Sequence, residues 1–303
     1  MLKLATSIAA ISLIIGFMVG RWTAPNGSFA THGRTPELHS LEAFPKATIK
    51  LATWNLEWFP DGTSARDIVA GVRMERTEGV KSTLEKISPD ILCVQEIKDP
   101  AVFTRMAGDL GYQTQLLSSF RGVQEIGIVS RLPATLVGAA DFRARLDGDN
   151  ITPPRGFVYG LFRLKSLNLL VYSVHLKSNV GGIPTTAPVR MESARQLLEH
   201  IELMRGRRID PTMPLKVVLA GDFNTDPYQT TFEVDRTLEI LQARGFQSTF
   251  EGLDRNEVIT WHSDGRYPSA TFDHILTPDV DDKAVVYPST RNLSDHLPVT
   301  LEL

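Results

Sequence analysis

The polar residues of this chain that are able to do chemistry stand where apolar runs end. Asn55 and Glu57 follow the run closing at Trp54, Glu96 follows residues 91–95, and His175 follows residues 169–174. Asp222 and Asn224 follow residues 217–221, Asp273 and His274 interrupt the stretch near Phe272, and Asp295 and His296 precede the last run. Carboxylates and an amide without thiolates form a hard oxygen site, suited to Mg2+, Mn2+ or Ca2+. Imidazoles beside such a site supply a general base near neutral pH, or a hydrogen bond to a developing anion. A cation with several polar donors is what phosphoryl transfer needs, because charge must be neutralised and a water aimed in line. Rival chemistries lack their parts: there is no Gly-x-Ser-x-Gly elbow, no phosphate-binding P-loop and no His-Glu-x-x-His helix.

Taken singly, these residues have ordinary readings. Asp222 and Asn224 suit a turn after a strand, and Asn55 suits a cap. His175 reads equally as a satisfied strand-end histidine. Glu57 and Lys98 read as solvated neighbours, and His200, His262 and His274 as structural or surface residues. Cys93 is the only cysteine, so no intramolecular disulfide forms; inside an apolar run it reads as a small core side chain.

The elements that must position these groups follow from periodicity. Strands are predicted over residues 47–54, 91–95, 125–130, 134–139, 217–220, 272–276 and 298–303, and a hairpin over 157–164 and 169–175. Helical spacing predicts helices over residues 76–87, 101–110, 189–206 and 232–243. Hairpins mixed with crossover helices fit neither a Rossmann fold nor a pure β-sandwich. Two mixed β-sheets packed face to face, with helices outside, accommodate the order.

In their order along the chain, six motifs are decisive together. They are Thr53-Trp54-Asn55-Leu56-Glu57, Val94-Gln95-Glu96, Ser173-Val174-His175-Leu176-Lys177-Ser178, Gly221-Asp222-Phe223-Asn224, Thr271-Phe272-Asp273-His274 and Ser294-Asp295-His296-Leu297-Pro298. The series resembles the endonuclease/exonuclease/phosphatase superfamily, on its deoxyribonuclease I-like side. The resemblance implies a four-layer α/β sandwich and a Mg2+- or Mn2+-dependent hydrolase of phosphoester bonds. It implies Glu96 as main metal ligand, Asn55 and Asp295 near the same ion, and Glu57 through water. It further implies that His296 acts on the attacking water and is oriented by Asp273. Asp222 and Asn224 would hold that water and a phosphate oxygen, while His175 would donate to the scissile phosphate; which of His296 and Asp222 takes the proton stays open. Lys177, Arg121, Arg155 and Arg190 are expected as a phosphate-binding rim. No tyrosine stands where abasic-site enzymes of the superfamily place a catalytic one, and the disulfide of secreted animal deoxyribonuclease I cannot form.

The termini and the charge add context. Residues 1–21 read as a signal peptide or N-terminal membrane anchor, since residues 4–20 are apolar and uncharged between Lys3 and Arg21. Residues 22–46, rich in Pro, Gly, Ser, Thr and His, read as a flexible tether, and residues 47–303 as one catalytic domain. A net charge of −3 argues against a charge-driven coat on DNA, but not against a nuclease with a local basic rim. The expectation is an exported nuclease, periplasmic or extracellular, acting as a monomer on nucleic acid or another phosphodiester. The alternatives are a lipid or small-molecule phosphodiesterase or phosphatase, and a binding module that kept the fold without turnover.

Overall fold

The chain folds in the order β1 (Lys50–Phe59), α1 (Ala70–Ile87), β2 (Ile91–Ile97), α2 (Pro100–Asp109), β3 (Thr114–Leu117), β4 (Glu125–Ser130) and β5 (Ala134–Asp141). It continues through β6 (Gly156–Arg163), β7 (Asn168–His175), α3 (Ile183–Gly206), β8 (Leu215–Asp222), α4 (Thr237–Gln242), β9 (Gln247–Ser248), β10 (Asp273–Thr277), β11 (Val285–Val286) and β12 (Val299–Glu302). This structure, a computed structural model, describes residues 48–63, 70–120, 122–145, 151–207, 212–263, 265–278, 283–289 and 291–303. The expected signal or anchor, the tether and Arg121 lie outside the described residues. Among the described residues no helix is long and apolar enough to cross a membrane.

Two six-stranded sheets result, ordered β11-β12-β1-β2-β4-β3 and β5-β6-β7-β8-β10-β9. The middle pair of each, β1 with β2 and β7 with β8, is parallel; β12 on β1 and β10 on β8 are antiparallel. The carboxyl ends of four central strands and the amino ends of two neighbours therefore share one edge of the sandwich. Every motif picked out in the sequence stands at that edge.

Side-chain alternation builds the layers. Leu51, Ile91, Cys93, Leu169, Val171, Val218, Ala220 and Ile275 meet between the sheets. Ala52, Trp54, Leu92 and Val94 face outward under Val80, Leu84, Phe103 and Met106 of α1 and α2. Leu170, Tyr172, Val217 and Leu219 are covered by Leu197, Ile201 and Met204 of α3 and by Leu241 of α4. Cys93 is a fully buried core thiol that burial pushes up to about 12.

The predicted elements all form, with shifted bounds. α1 begins six residues earlier than expected, and α3 runs back through Pro188 to Ile183. The helix expected over 232–243 is broken: Asp235 turns its carboxylate to the Thr237 amide (3.1 Å) and hydroxyl, so α4 starts only there. The edge strands β3, β9 and β11 carried no legible pattern because they are two to four residues long.

Candidate active site

Along the inner faces of the central strands, apolar residues give way to polar ones as the strands approach the shared edge. Gln95 lies across this transition, its amide donating to the hydroxyls of Thr53 and Ser173 (both 3.2 Å). Next along come Asn55, His175 and Asp222. Alternation alone would turn Glu96 outward, because Gln95 already faces in. A break in the β2 ladder between Val94 and Ile97 corrects this, with Glu96 itself in the left-handed region at φ 61°. Glu57, Trp58, Arg155 and Asn224 are also left-handed, so five of the six such non-glycine residues among those described stand at this rim, Ser88 being the sixth. Backbone strain of this kind persists only where surrounding contacts hold it, and it gathers at functional sites. Gly221 serves the same rim, since a Cβ there would come within 2.1 Å of the Val174 carbonyl oxygen.

The side chains of both sheets meet in one cluster. His296 Nδ1 lies 2.7 Å from Asp273 Oδ2, with Asp273 fully buried. Its Nε2 is 3.9 Å from both Asp222 Oδ2 and Asp295 Oδ1, beyond hydrogen-bond length, and so is committed to neither. Asp222 accepts from Asn55 Nδ2 (3.0 Å) and from the Asn224 amide (2.8 Å). Asn55 Nδ2 also reaches Glu96 Oε1 at 3.3 Å. His175 Nε2 lies 3.5 Å from Asp222 and 3.7 Å from Glu96. Burial, then Arg155 and His296, hold His175 well below its ordinary value, so its imidazole is neutral. Against its own burial, His296 is raised well above the ordinary value by Asp273 and Asp222. Burial pushes Asp222 up to about 7.

A second set of carboxylates adjoins it. Glu57 Oε2 accepts the Asp295 amide at 3.2 Å, and Asp295 Oδ2 accepts Trp261 Nε1 at 2.9 Å. Arg76 braces this corner through the carbonyls of Leu56, Glu57 and Asn292. Burial, then Asp295, raise Glu57 to about 7, and burial raises Glu96. Glu57, Glu96, Asp222, Asp273 and Asp295 contribute five carboxyl groups against the basic groups of Arg76, Arg155 and His296, and burial raises three of the five, Glu57, Glu96 and Asp222. A divalent cation held by oxygen ligands fits that balance. Asp222, Asp273 and His296 also bring three ligand atoms within 4.8 Å of one another. There His296 Nδ1 is already bonded to Asp273 at 2.7 Å, and an imidazole suits a hard cation less well than oxygen ligands do. The Glu96–Asn55–Asp295 side, with Glu57 beside it, suits the ion better.

The expected phosphate rim needs correcting. Arg190 is fully buried and paired with buried Asp235 at 2.6 Å, and it also donates to the Lys177 carbonyl and the Thr186 hydroxyl. It is a structural cation out of reach of substrate, because its position on α3 faces the sheet. The Lys177 ammonium is committed to its own loop, on the carbonyls of Ser178 (3.0 Å) and Val180 (3.2 Å). Arg155 alone of the described rim residues stands at the cluster, donating to Gln124 Oε1 (2.9 Å) and the His175 carbonyl (3.4 Å). His274 and His200 are buried and structural: His274 Nε2 bonds the carbonyls of Thr225 and Thr271, and His200 Nδ1 the Tyr172 hydroxyl.

Sequence reasoning missed two contributors. Gln124 donates to Glu96 Oε2 at 2.6 Å and joins it to Arg155. Trp261 holds Asp295 and bridges the His296 backbone. Neither carries a local signal, since each acts from a loop distant in sequence. Beside His296 and Asp295 opens a cleft of about 700 Å³, which Trp261 also lines.

The sequence model of the Endonuclease/Exonuclease/phosphatase family matches residues 52–296. Among solved structures the chain is similar to truncated TDP2 of Caenorhabditis elegans (TM-score 0.59, 16% identity, 84% of this chain and 97% of that one). It is also similar to an endonuclease/exonuclease/phosphatase family protein of Bacteroides thetaiotaomicron (TM-score 0.59, 19% identity, 86% and 98%). A third similarity is to SmcL (TM-score 0.62, 15% identity, 84% and 99%). At such identities the structures show a shared fold alone. No curated protein sequence matches the chain.

Proposed function

The chain belongs to the endonuclease/exonuclease/phosphatase family, whose members are phosphoester hydrolases, and from that premise we propose that it is an exported, divalent-metal-dependent nuclease cleaving phosphodiester bonds. One observation carries the reading: His296–Asp273, Asp222 and Glu96 converge from both sheets at one rim where carboxyl groups outnumber basic ones. Glu96, Asn55 and Asp295, with Glu57 beside them, would hold Mg2+ or Mn2+. When bound, the ion neutralises charge on the phosphate and its leaving oxygen.

The remaining work falls to the protein. Asp273 fixes the His296 proton at Nδ1 and leaves Nε2 facing the attacking water. Asp222, itself held by Asn55 and the Asn224 amide, orients that water from the second sheet. The water's proton goes to one of these two groups, His296 through Nε2 or Asp222 through Oδ2, which lie 3.9 Å apart. Neutral His175 donates from Nε2 to the scissile phosphate, and the guanidinium of Arg155 adds positive charge on that side. Asn224 holds a phosphate oxygen. Export is supported by the uncharged apolar run at residues 4–20, as a cleaved signal or an anchor.

Incubation of the purified protein with plasmid and with single strands, in Mg2+, in Mn2+ and in chelator, tests the proposal. Metal-dependent cleavage that disappears in His296→Ala is expected. Hydrolysis of sphingomyelin or inositol phosphates with DNA untouched would replace the nuclease by a lipid or small-molecule phosphodiesterase.

A further inference from the structure

Gln124 stands between two charged groups that come from different sheets. It precedes β4, whose Glu125 pairs with Ile97 of β2, next to Glu96. Arg155 precedes β6 of the other sheet. One carboxamide joins the two: Gln124 Nε2 donates to Glu96 Oε2 at 2.6 Å, and Arg155 donates to Gln124 Oε1 at 2.9 Å. A guanidinium only donates and an ionised carboxylate only accepts, so the amide fits in one orientation. Both residues it joins are left-handed, Glu96 at φ 61° and Arg155 at φ 62°, a strain that surrounding contacts must hold.

Resting on the reading above for the ion at Glu96 and the phosphate at Arg155, but not on nucleic acid as substrate, we propose that Gln124 is a positioning residue. It holds the metal ligand and the phosphate-side cation in one frame, and so sets the affinity for both ion and phosphate without acting on either itself. A direct ion pair would commit the guanidinium and the carboxylate to each other. The neutral amide keeps them apart and still fixes both, because hydrogen bonds to charged groups are stronger than those between neutral ones. Glu96 Oε1 meanwhile accepts from Asn55 at 3.3 Å, and Oε2 also from the Trp58 amide at 3.2 Å, so the carboxylate is held from three sides. Arg155 spends its other bond on the His175 carbonyl at 3.4 Å. A guanidinium carries five N–H donors, which leaves donors over for a phosphate.

Titration calorimetry on the whole chain, with Mg2+ alone and then with inorganic phosphate in saturating Mg2+, tests this without turnover. Gln124→Met, similar in length but unable to bridge, is expected to weaken both ligands about 10-fold, the lower end of what a lost outer partner costs a metal site. Arg155→Met weakens phosphate and not Mg2+. The double variant binds phosphate no more weakly than Arg155→Met, because both changes act through one guanidinium. In turnover of a chromogenic phosphodiester at saturating Mg2+, Gln124→Met raises KM more than it lowers kcat. Gln124→Asn, polar but one methylene shorter, shows the same double loss and serves if the Met variant does not fold. Unchanged affinity for either ligand in both Gln124 variants, additive losses in the double variant, or a fall in kcat alone would overturn the bridge. A parent that binds no Mg2+ overturns the metal assignment and the bridge with it. Metal-dependent DNA cleavage with unaltered variant affinities refutes only the bridge, and the expected losses in a protein that leaves DNA intact refute only the nuclease.

Discussion

Replacing Asp273 with Asn probes the least replaceable contact of the cluster. The residue is fully buried, and its Oδ2 holds His296 Nδ1 at 2.7 Å, with the two side chains 0% and 8% exposed. A hydrogen bond involving a charged group contributes about 1.5–3 kcal/mol, and desolvation places this one near the upper end. At about 1.36 kcal/mol per decade, its loss lowers kcat by about 100-fold. The amide adds a second effect: it can donate to Nδ1 and so move the ring proton to Nε2, removing the base. In a Ser-His-Asp relay that inversion costs about 10⁴-fold. The expected loss therefore lies between these limits. Asp273 also raises His296, so the variant's histidine deprotonates at lower pH. The ascending limb of the kcat/KM profile moves toward acid while its plateau falls. Steady-state cleavage of a fluorescent oligonucleotide from about pH 5 to 9 reads both quantities. A plateau within about two-fold of the parent, with the limb unmoved, would show that Asp273 only fills space and that His296 is not the group acting on water.

Glu96→Gln is expected to abolish stabilisation by Mg2+ or Mn2+ in thermal melts, an effect worth about 2.7 kcal/mol for the parent at 100 times Kd; equal stabilisation of both proteins would move the ion elsewhere. Arg190→Met leaves Asp235 charged and buried, which costs about 3–5 kcal/mol in urea unfolding with KM unchanged. A raised KM at unaltered stability would restore Arg190 to the substrate rim. His200 is pushed down to about 3 by burial, so below its unfolded value, near 6.5, the unfolded chain binds a proton that the native state refuses. Its contribution to stability is whole above that pH and is lost as pH falls toward 3, by about 1.4 kcal/mol per unit. Urea midpoints at several pH values are expected to lose that part of their slope in His200→Phe, and equal slopes in the two proteins across this window would contradict the assignment.

Local chemistry determined much of this protein. Alternating apolar runs fix the central strands, helical spacing fixes the covering helices, and polar residues at strand ends mark the reactive edge, because each signal spans only a few residues. The bulge that turns Glu96 inward, by contrast, depends on its pairing with β1 and β4. Arg190 and Arg155 look alike in sequence, yet Asp235 buries one while Gln124 and the His175 carbonyl bring the other to the rim. Gln124 and Trp261 touch Glu96 and Asp295, 28 and 34 positions away. The sequence by itself supplied the strands, the reactive residue types and their family resemblance. Only the tertiary structure decided which charges are buried, which are paired and what lines the cleft, since those follow from contacts between segments that no local pattern encodes.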